Sequence, residues 1–389
     1  MTPEPAVAAG IDFQLTDEMK MLQQAARDFA EKEIRPHVMK LDEAQEFPHE
    51  IIRKMADLGF LGAVIPSELG GAGLTALEFV VIMEEIARID PSVALTFAAH
   101  SGLCLEHIAR FGNEEQLRKY VPDLATGKKI GSWCLTEPGA GSDAGATKTV
   151  ARLEGDSYVI EGTKSFITNG SFAETFVVMA KTDPTKGKSG ISAFIVERSM
   201  GGVSVGKKEN KLGMRASDTV QLVFDSVRVP KNNLIGREGE GFKQALAVLD
   251  SGRIGIAALS VGLAQGALDA SIKYAKERQT FGKPLTEHQA IQFKLADMAV
   301  EIQAARLLTY KAALAKTQGK EITLLAAEAK LFASEVAERA AKEAVQIHGG
   351  YGYIKEFPVE KYYRDVKLLT IGEGTSEVQR MVIAKKLLQ

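Results

Sequence analysis

The spacing of apolar residues changes twice along the chain. Up to about residue 128 it is helical. Thr16 precedes Asp17-Glu18 and an apolar series at Met19, Leu22, Ala26, Phe29 and Ala30, which predicts an amphipathic helix stopping at Pro36. Pro48 opens a second helix and Gly59 closes it. Thr75 and Glu78 have capping-box spacing ahead of an apolar run. Asp90-Pro91 reads as an N-cap followed by proline at the first helical position, and Asn113 with Gln116 begins another helix after Gly112.

From about 129 to 238 strand patterns take over. Residues 158–160, 176–179, 191–196 and 219–224 are strand candidates, separated by turns such as Glu154-Gly155-Asp156. Short strands joined by turns predict a small β-barrel or sandwich. After Gly239 the helices return and are long. Residues 254–276 are apolar almost all round, which predicts a helix buried in a bundle. Thr286 with Gln289 boxes the start of the next, which runs to about Lys316. A third spans about 323–347, and a fourth starts at about Ser376, where Ser376 and Gln379 repeat the capping-box spacing. The expected fold is therefore α+β, mainly α: an N-terminal helical domain (1–128), a central β-barrel or sandwich domain (129–238) and a C-terminal four-helix bundle (239–389).

Composition narrows the function classes. A hydrophobic content of 45% and a charged content of 25% are ordinary for a globular protein. A net charge of -2 without a basic stripe argues against nucleic acid. Cys104 and Cys134 form no C-x-x-C, and the histidines form no ligand pair, so neither a disulfide framework nor a metal is expected. No run of 18 apolar residues predicts a membrane span. Met1 to Ala9 lacks a basic signal-peptide start or a transit pattern, so a cytoplasmic compartment is expected.

The most informative carboxylate is Glu373, set between Gly372 and Gly374 just before a helix start. The glycines permit unusual dihedrals, so the carboxylate can be pushed into an apolar pocket, where desolvation raises its pKa toward that of a general base. An exposed loop carboxylate is the plain alternative. Upstream, Gly139-Ala140-Gly141-Ser142-Asp143-Ala144 matches the dinucleotide fingerprint G-x-G-x-x-A. A Rossmann loop must open a helix that holds the pyrophosphate, whereas residues 146–151 read as strand. Two stretches, 133–143 (WCLTEPGAGSD) and 164–170 (KSFITNG), instead combine aromatics, hydroxyls and bare backbone amides, as two walls of a site for a flat heteroaromatic ring.

These segments, together with RQTFGKPL, QIHGGYGY and EGTSEVQR in that order and spacing, resemble the acyl-CoA dehydrogenase family over essentially the whole chain, most closely its short-chain, butyryl-CoA type. The resemblance implies FAD between β domain and bundle, and a homotetramer built as a dimer of dimers. Trp133, Cys134, Leu135, Thr136, Gly141 and Ser142, with Phe166, Ile167 and Thr168, would line the flavin. Thr375, Ser376 and Glu377 would also contact it, while Arg278, Phe281, Gln346 and Gly350 would hold the FAD of, or shared with, a neighbouring subunit. Glu373 matches the catalytic base. Ser142, Asp250, Ser251, Gly252, Arg253 and Gly374 match substrate-contacting positions, Asp250 and Arg253 having a helix-start ion pair as the alternative. Some members place the base at the position of Gly252, which has no side chain to accept a proton.

The implied reaction is α,β-desaturation of short- to medium-chain acyl-CoA to trans-2-enoyl-CoA. Glu373 takes the α-proton, flavin N5 accepts the β-hydride, and electrons pass to electron-transferring flavoprotein. Many relatives carry tyrosine where this chain has Gly372, which is expected to reshape the acyl end of the pocket. Rival readings are a branched short-chain dehydrogenase, an acyl-CoA oxidase (usually a longer chain with an extra C-terminal domain), a non-catalytic scaffold, and a nicotinamide-dependent oxidoreductase.

Overall fold

Capping chemistry places the N-terminal helices. The computed structural model describes residues 14–389, so the reading of Met1 to Ala9 lies outside the described residues. Thr16 Oγ1 accepts from the Met19 amide at 3.2 Å and opens α1 (Asp17–Phe29). The helical path does not stop at Pro36. It widens into a π-type segment, Ala30–Ile34, tightens into a 3-10 turn, Arg35–His37, and continues as α2 (Val38–Ala44). This change of winding places the proline, which has no N–H, at the first positions of a new turn. α3 (His49–Asp57) ends before Gly59, whose φ of +74 suits glycine. The expected capping box forms at α4 (Ala76–Ile89), with Thr75 N donating to Glu78 Oε2 at 2.7 Å and Glu78 N to Thr75 Oγ1 at 3.3 Å. Asp90 caps α5 (Pro91–Phe97). α6 (Glu106–Phe111) follows, and the Asn113–Gln116 box opens α7 (Glu114–Ala125).

Eight strands follow: β1 (Gly131–Cys134), β2 (Val150–Glu154), β3 (Ser157–Thr168), β4 (Thr175–Lys181), β5 (Ile191–Glu197), β6 (Val203–Lys208), β7 (Thr219–Pro230) and β8 (Leu234–Ile235). They form one sheet in the order β6-β7-β3-β2-β4-β5-β8, with β1 added parallel to β4. The sheet curls over its own core. Tyr158 on β3 and Phe194 on β5 are not on neighbouring strands, yet their ring centroids lie 4.9 Å apart. Ile160, Phe176, Leu222 and Phe224 fill the same core. After the glycine loop comes a 3-10 turn, Ala144–Ala146, and then β2, which begins four residues later than the expected strand. No helix opens on that loop, so the Rossmann reading is excluded.

The bundle consists of α8 (Gly241–Glu277), α9 (Gln289–Thr317), α10 (Thr323–His348) and α12 (Ser376–Leu387), with the short α11 (Val359–Asp365) between the last two. α8 begins at Gly241 rather than 254, so Asp250 and Arg253 lie inside a helix and not at its start. By length and composition α8 could cross a bilayer, although the sequence predicted no span, and 78% of its most apolar window is buried in the protein. Two capping expectations fail. α9 begins at Gln289 with no side-chain cap, because 285–287 form a separate 3-10 turn. α12 is capped by Thr375, whose Oγ1 accepts from Val378 N at 3.3 Å, which frees the Ser376 and Gln379 side chains for other contacts.

Candidate active site

Two successive residues with left-handed backbone present the carboxylate. Glu373 has φ +53 and Gly374 φ +96. Glycine adopts this region freely, but glutamate does so at a cost of about 1–2 kcal/mol, so its surroundings must hold the turn. Gln379, fully buried, donates from Nε2 to the Gly374 carbonyl at 2.9 Å and to the Glu373 carbonyl at 3.3 Å. Lys330, fully buried on α10, donates to the same Gly374 carbonyl at 2.7 Å. Glu373 Oε2 is buried and has no hydrogen-bond partner among the described residues. Burial pushes this carboxyl up to about 7, the Lys330 and Arg253 charges draw it down, and Glu106 pushes it up. It is thus neither an exposed loop carboxylate nor half of an ion pair.

Gly252 on α8 faces it. A Cβ at position 252 would stand 2.2 Å from Glu373 Oε2 and 2.9 Å from Leu103 Cδ2. Gly252 and Ser251 also line a narrow cavity that runs between α8, α4 and the segment before α6, with Phe79, Val80, Ile254 and Gly255 on its apolar walls. Its polar lining includes Ser101 and the ion pair of Lys316 with Glu106, at 2.7 Å. Ser251 Oγ is buried without a partner. Arg253 Nη1 donates to Asp250 Oδ1 at 2.6 Å, and Asp250 Oδ2 accepts from Thr323 Oγ1 at 2.6 Å. That pair therefore ties α8 to α10, while Arg253 Nε stays buried and unpartnered. Gly372 is not in this lining. A Cβ there would meet only Leu368, at 3.5 Å or more.

The two heteroaromatic-type stretches do meet. Ser165 N donates to Thr136 O at 2.8 Å, and Lys164 Nζ donates to Leu135 O at 3.1 Å and to Glu137 Oε1 at 2.7 Å. Glu137 also accepts from the Lys148 and Thr149 amides at 2.6 and 3.1 Å. This buried pair clamps both walls, and sequence reasoning assigned it no role. Nothing lies within 4 Å of a Cβ built at Gly139 or Gly141, and Ser142 is exposed beside them. A register shift between Lys164 and Ile167 turns Phe166 outward, with φ +57 and 63% of its surface exposed. Thr168 is half-buried beyond it. Trp133, Cys134, Leu135 and Ile167 point their side chains into packed cores, Trp133 Nε1 donating to His107 Nδ1 at 3.0 Å.

Thr375, Ser376 and Glu377 line an open groove between α10, α12 and Leu212 of the β region. The residues fit a dinucleotide. Ser376 Oγ is buried and unpartnered, and the α12 N-terminus opens on the groove; Phe166, outside that lining, leaves an aromatic face uncovered on the β domain. Arg278, Phe281, Gln346 and Gly350 are not in that groove. They are exposed where α8 and α10 end, Phe281 being 97% exposed and the Arg278 guanidinium lying 5.5 Å from the Tyr351 ring centroid.

Sequence reasoning also missed Lys330. The only signal was a lone lysine on the Ala-rich face of α10, among Ala326, Ala327 and Ala333.

The chain matches three family descriptions: acyl-CoA dehydrogenase N-terminal domain over residues 16–128, middle domain over 132–227 and C-terminal domain over 239–388. It is 49% identical to a short-chain specific acyl-CoA dehydrogenase of Clostridium acetobutylicum, over 97% of this chain and 100% of that one. The structure of butyryl-CoA dehydrogenase from Megasphaera elsdenii superposes with a TM-score of 0.96 at 46% identity, covering 97% and 100% of the two chains. A chain solved in work on the electron transferring flavoprotein of Acidaminococcus fermentans gives the same TM-score, 0.96, at 47% identity and the same coverage. Matches over nearly the whole chain and these full-length likenesses leave one reading: the chain belongs to the acyl-CoA dehydrogenase family of flavoprotein oxidoreductases.

Proposed function

We propose that this chain binds FAD and converts short-chain acyl-CoA to trans-2-enoyl-CoA, with Glu373 as the base that takes the α-proton. The observation that carries this is the buried, unpartnered Glu373 Oε2 against Gly252, with its pKa near the working range of a base. The Glu373 amide donates to no group among the described residues, so it is free to polarise a thioester carbonyl and stabilise developing enolate charge. Ser251 Oγ, also unpartnered, stands ready for the substrate. Glu373 Oε2 is itself shut off from solvent. Thr136, Gly141, Ser142, Phe166, Thr168, Thr375, Ser376 and Glu377 would hold the flavin, with Arg278, Phe281, Gln346 and Gly350 reaching that of a neighbouring subunit in a tetramer. FAD, when bound, supplies the acceptor for the β-hydrogen.

The short-chain assignment is supported by the names of the relatives and by the Glu106–Lys316 pair in the cavity wall, where a longer alkyl chain would have to displace a satisfied ion pair. Branched short acyl groups are the second reading, since Gly102 and Gly255 leave room beside the cavity. Delivery of electrons to an electron-transferring flavoprotein is proposed from the likeness to the Acidaminococcus fermentans chain. The test uses purified holoenzyme. Glu373→Gln should keep its FAD and lose anaerobic bleaching by butyryl-CoA; bleaching at the wild-type rate would remove Glu373 as the base.

A further inference from the structure

We propose that Lys330 is a positioning residue for this desaturation: from inside α10 it clamps the Gly374 carbonyl, fixes the Glu373–Gly374 turn, and sets its ammonium as the buried counter-charge to the Glu373 carboxylate. The proposal rests on Glu373 being the base.

The geometry points to a role beyond helix packing. Lys330 has no exposed surface, and its neighbours on α10 are alanines. A buried ammonium needs a compensating charge. Its single hydrogen bond, 2.7 Å to Gly374 O, is to a neutral carbonyl. Burial lowers this ammonium to about 8; of the charges acting on it Glu373 on the loop is the largest and raises it, Arg253 from α8 lowers it, and Glu377 from α12 and Glu335 on its own helix raise it. Glu373 in turn is faced by Lys330, Arg253 and Glu106. Arg253 is already paired with Asp250, and Glu106 with Lys316. Lys330 is therefore the one cation of the set without a carboxylate hydrogen bond among the described residues, and it grips the residue next to the base. The turn it grips contains a glutamate at φ +53, a conformation that relaxes unless both carbonyls are held. Gln379 holds both, and Lys330 supplies the second donor to Gly374 O.

The test is the pH profile of kcat/KM with butyryl-CoA for holoenzyme carrying Lys330→Gln, Lys330→Met or Lys330→Arg, with Glu373→Gln assayed beside them. Removal of a nearby opposite charge should move the acid limb upward by about 1 pH unit in the Gln and Met variants, with FAD still bound. The Gln variant, which keeps a donor for Gly374 O, should retain more activity just above the acid limb than Met, and Arg should restore the wild-type limb. Should Met fail to fold, Gln against Arg carries the same comparison. An acid limb unmoved in the FAD-loaded Gln variant, while Glu373→Gln is inactive, would overturn the proposal and leave the base in place. Turnover by Glu373→Gln with the wild-type limb would sink both.

Discussion

Gly252 and Glu373 occupy one another's space: a methyl group on Gly252 would stand 2.2 Å from the Glu373 carboxylate oxygen. The two positions are 121 residues apart in sequence but meet where α8 passes beneath the loop before α12. Gly252→Ala must push the carboxylate away, because its other near contact is Leu103 at 2.9 Å and the helix backbone cannot retreat. A base displaced by about 1 Å loses on the order of 100-fold in rate. Gly252→Ala is expected to retain FAD and to lose about that factor in kcat/KM with butyryl-CoA. Steady-state assays beside flavin absorbance check this, and near-wild-type turnover would show that the carboxylate has room the geometry denies it.

The ionisation of Glu373 couples activity to stability with opposite signs. As the proposed base it must be deprotonated, so kcat/KM should fall as pH drops below about 7. Its folded-state pKa is raised from 4.5, so the folded state binds the proton more tightly than the unfolded chain. That stabilising contribution is fully present below about 4.5 and is lost as pH rises through about 7. Glu373→Gln, permanently neutral, should therefore melt above wild type at pH 8 and with it at pH 4.5. Thermal melts of both holoenzymes across this range test the sign; a variant less stable than wild type at pH 8 contradicts it.

Period and punctuation were enough for the helical–β–helical order, because caps at Thr16, Thr75, Asp90 and Asn113 are local chemistry. The failures share a cause. Where two groups compete for a cap, tertiary contacts decide: Thr375 takes the α12 cap because Gln379 is engaged with the Glu373 and Gly374 carbonyls. β6 was not read as a strand because it is a largely exposed edge paired only with β7, and its apolar residues are just Val203 and Val205. Within the site, the flanking glycines drew notice to Glu373, and the family resemblance supplied its proposed role. The Glu137–Lys164 clamp and the buried Lys330 were not, since each meets its partner across 27 and 44 residues of sequence and nothing local marks either lysine as buried. The cavity's lining was not legible for the same reason: it comes from α8, α4 and Lys316, far from one another in the chain.

Chain-length selection should respond to the Glu106–Lys316 pair. Both residues line the cavity and bond at 2.7 and 2.9 Å, with Glu106 largely buried. Breaking such a pair on one side leaves an uncompensated charge, whereas replacing both partners with apolar residues of similar size is close to neutral. Glu106→Leu with Lys316→Met is therefore expected to fold, to keep activity on butyryl-CoA within a few fold (roughly 3), and to raise kcat/KM for octanoyl-CoA by about 10-fold per 1.4 kcal/mol of added apolar contact. Lys316→Met alone should lower activity on every chain length and raise the Glu373 acid limb, since unpaired Glu106 then acts on it in full. A series from C4 to C8 decides; an unchanged ratio of octanoyl to butyryl rates in the double variant would place the limiting wall elsewhere.

His107 links the lone tryptophan to acid stability. Trp133 Nε1 donates to His107 Nδ1, and His107 Nε2 faces Gln244 Oε1 at 3.1 Å, so the ring is held as the neutral tautomer with Nδ1 accepting. His100 is held likewise, accepting from Gly131 N at 2.9 Å and facing Leu124 O at 3.0 Å. Burial lowers both from 6.5 to about 4. A depressed histidine contributes stability that is present above its unfolded value, about 6.5, and lost as pH falls toward 4, at up to about 1.4 kcal/mol per pH unit for each ring. Protonation of His107 also turns Nδ1 from acceptor to donor and breaks its bond with the indole. Because the chain has one tryptophan, its emission comes from this site, and the His107 variant separates this event from others. Emission is expected to shift as pH falls below about 5, before the far-ultraviolet dichroism changes. His107→Asn should flatten that shift and reduce the slope of stability against pH between 6.5 and 4. An emission titration identical in wild type and variant would show that the indole senses some other group.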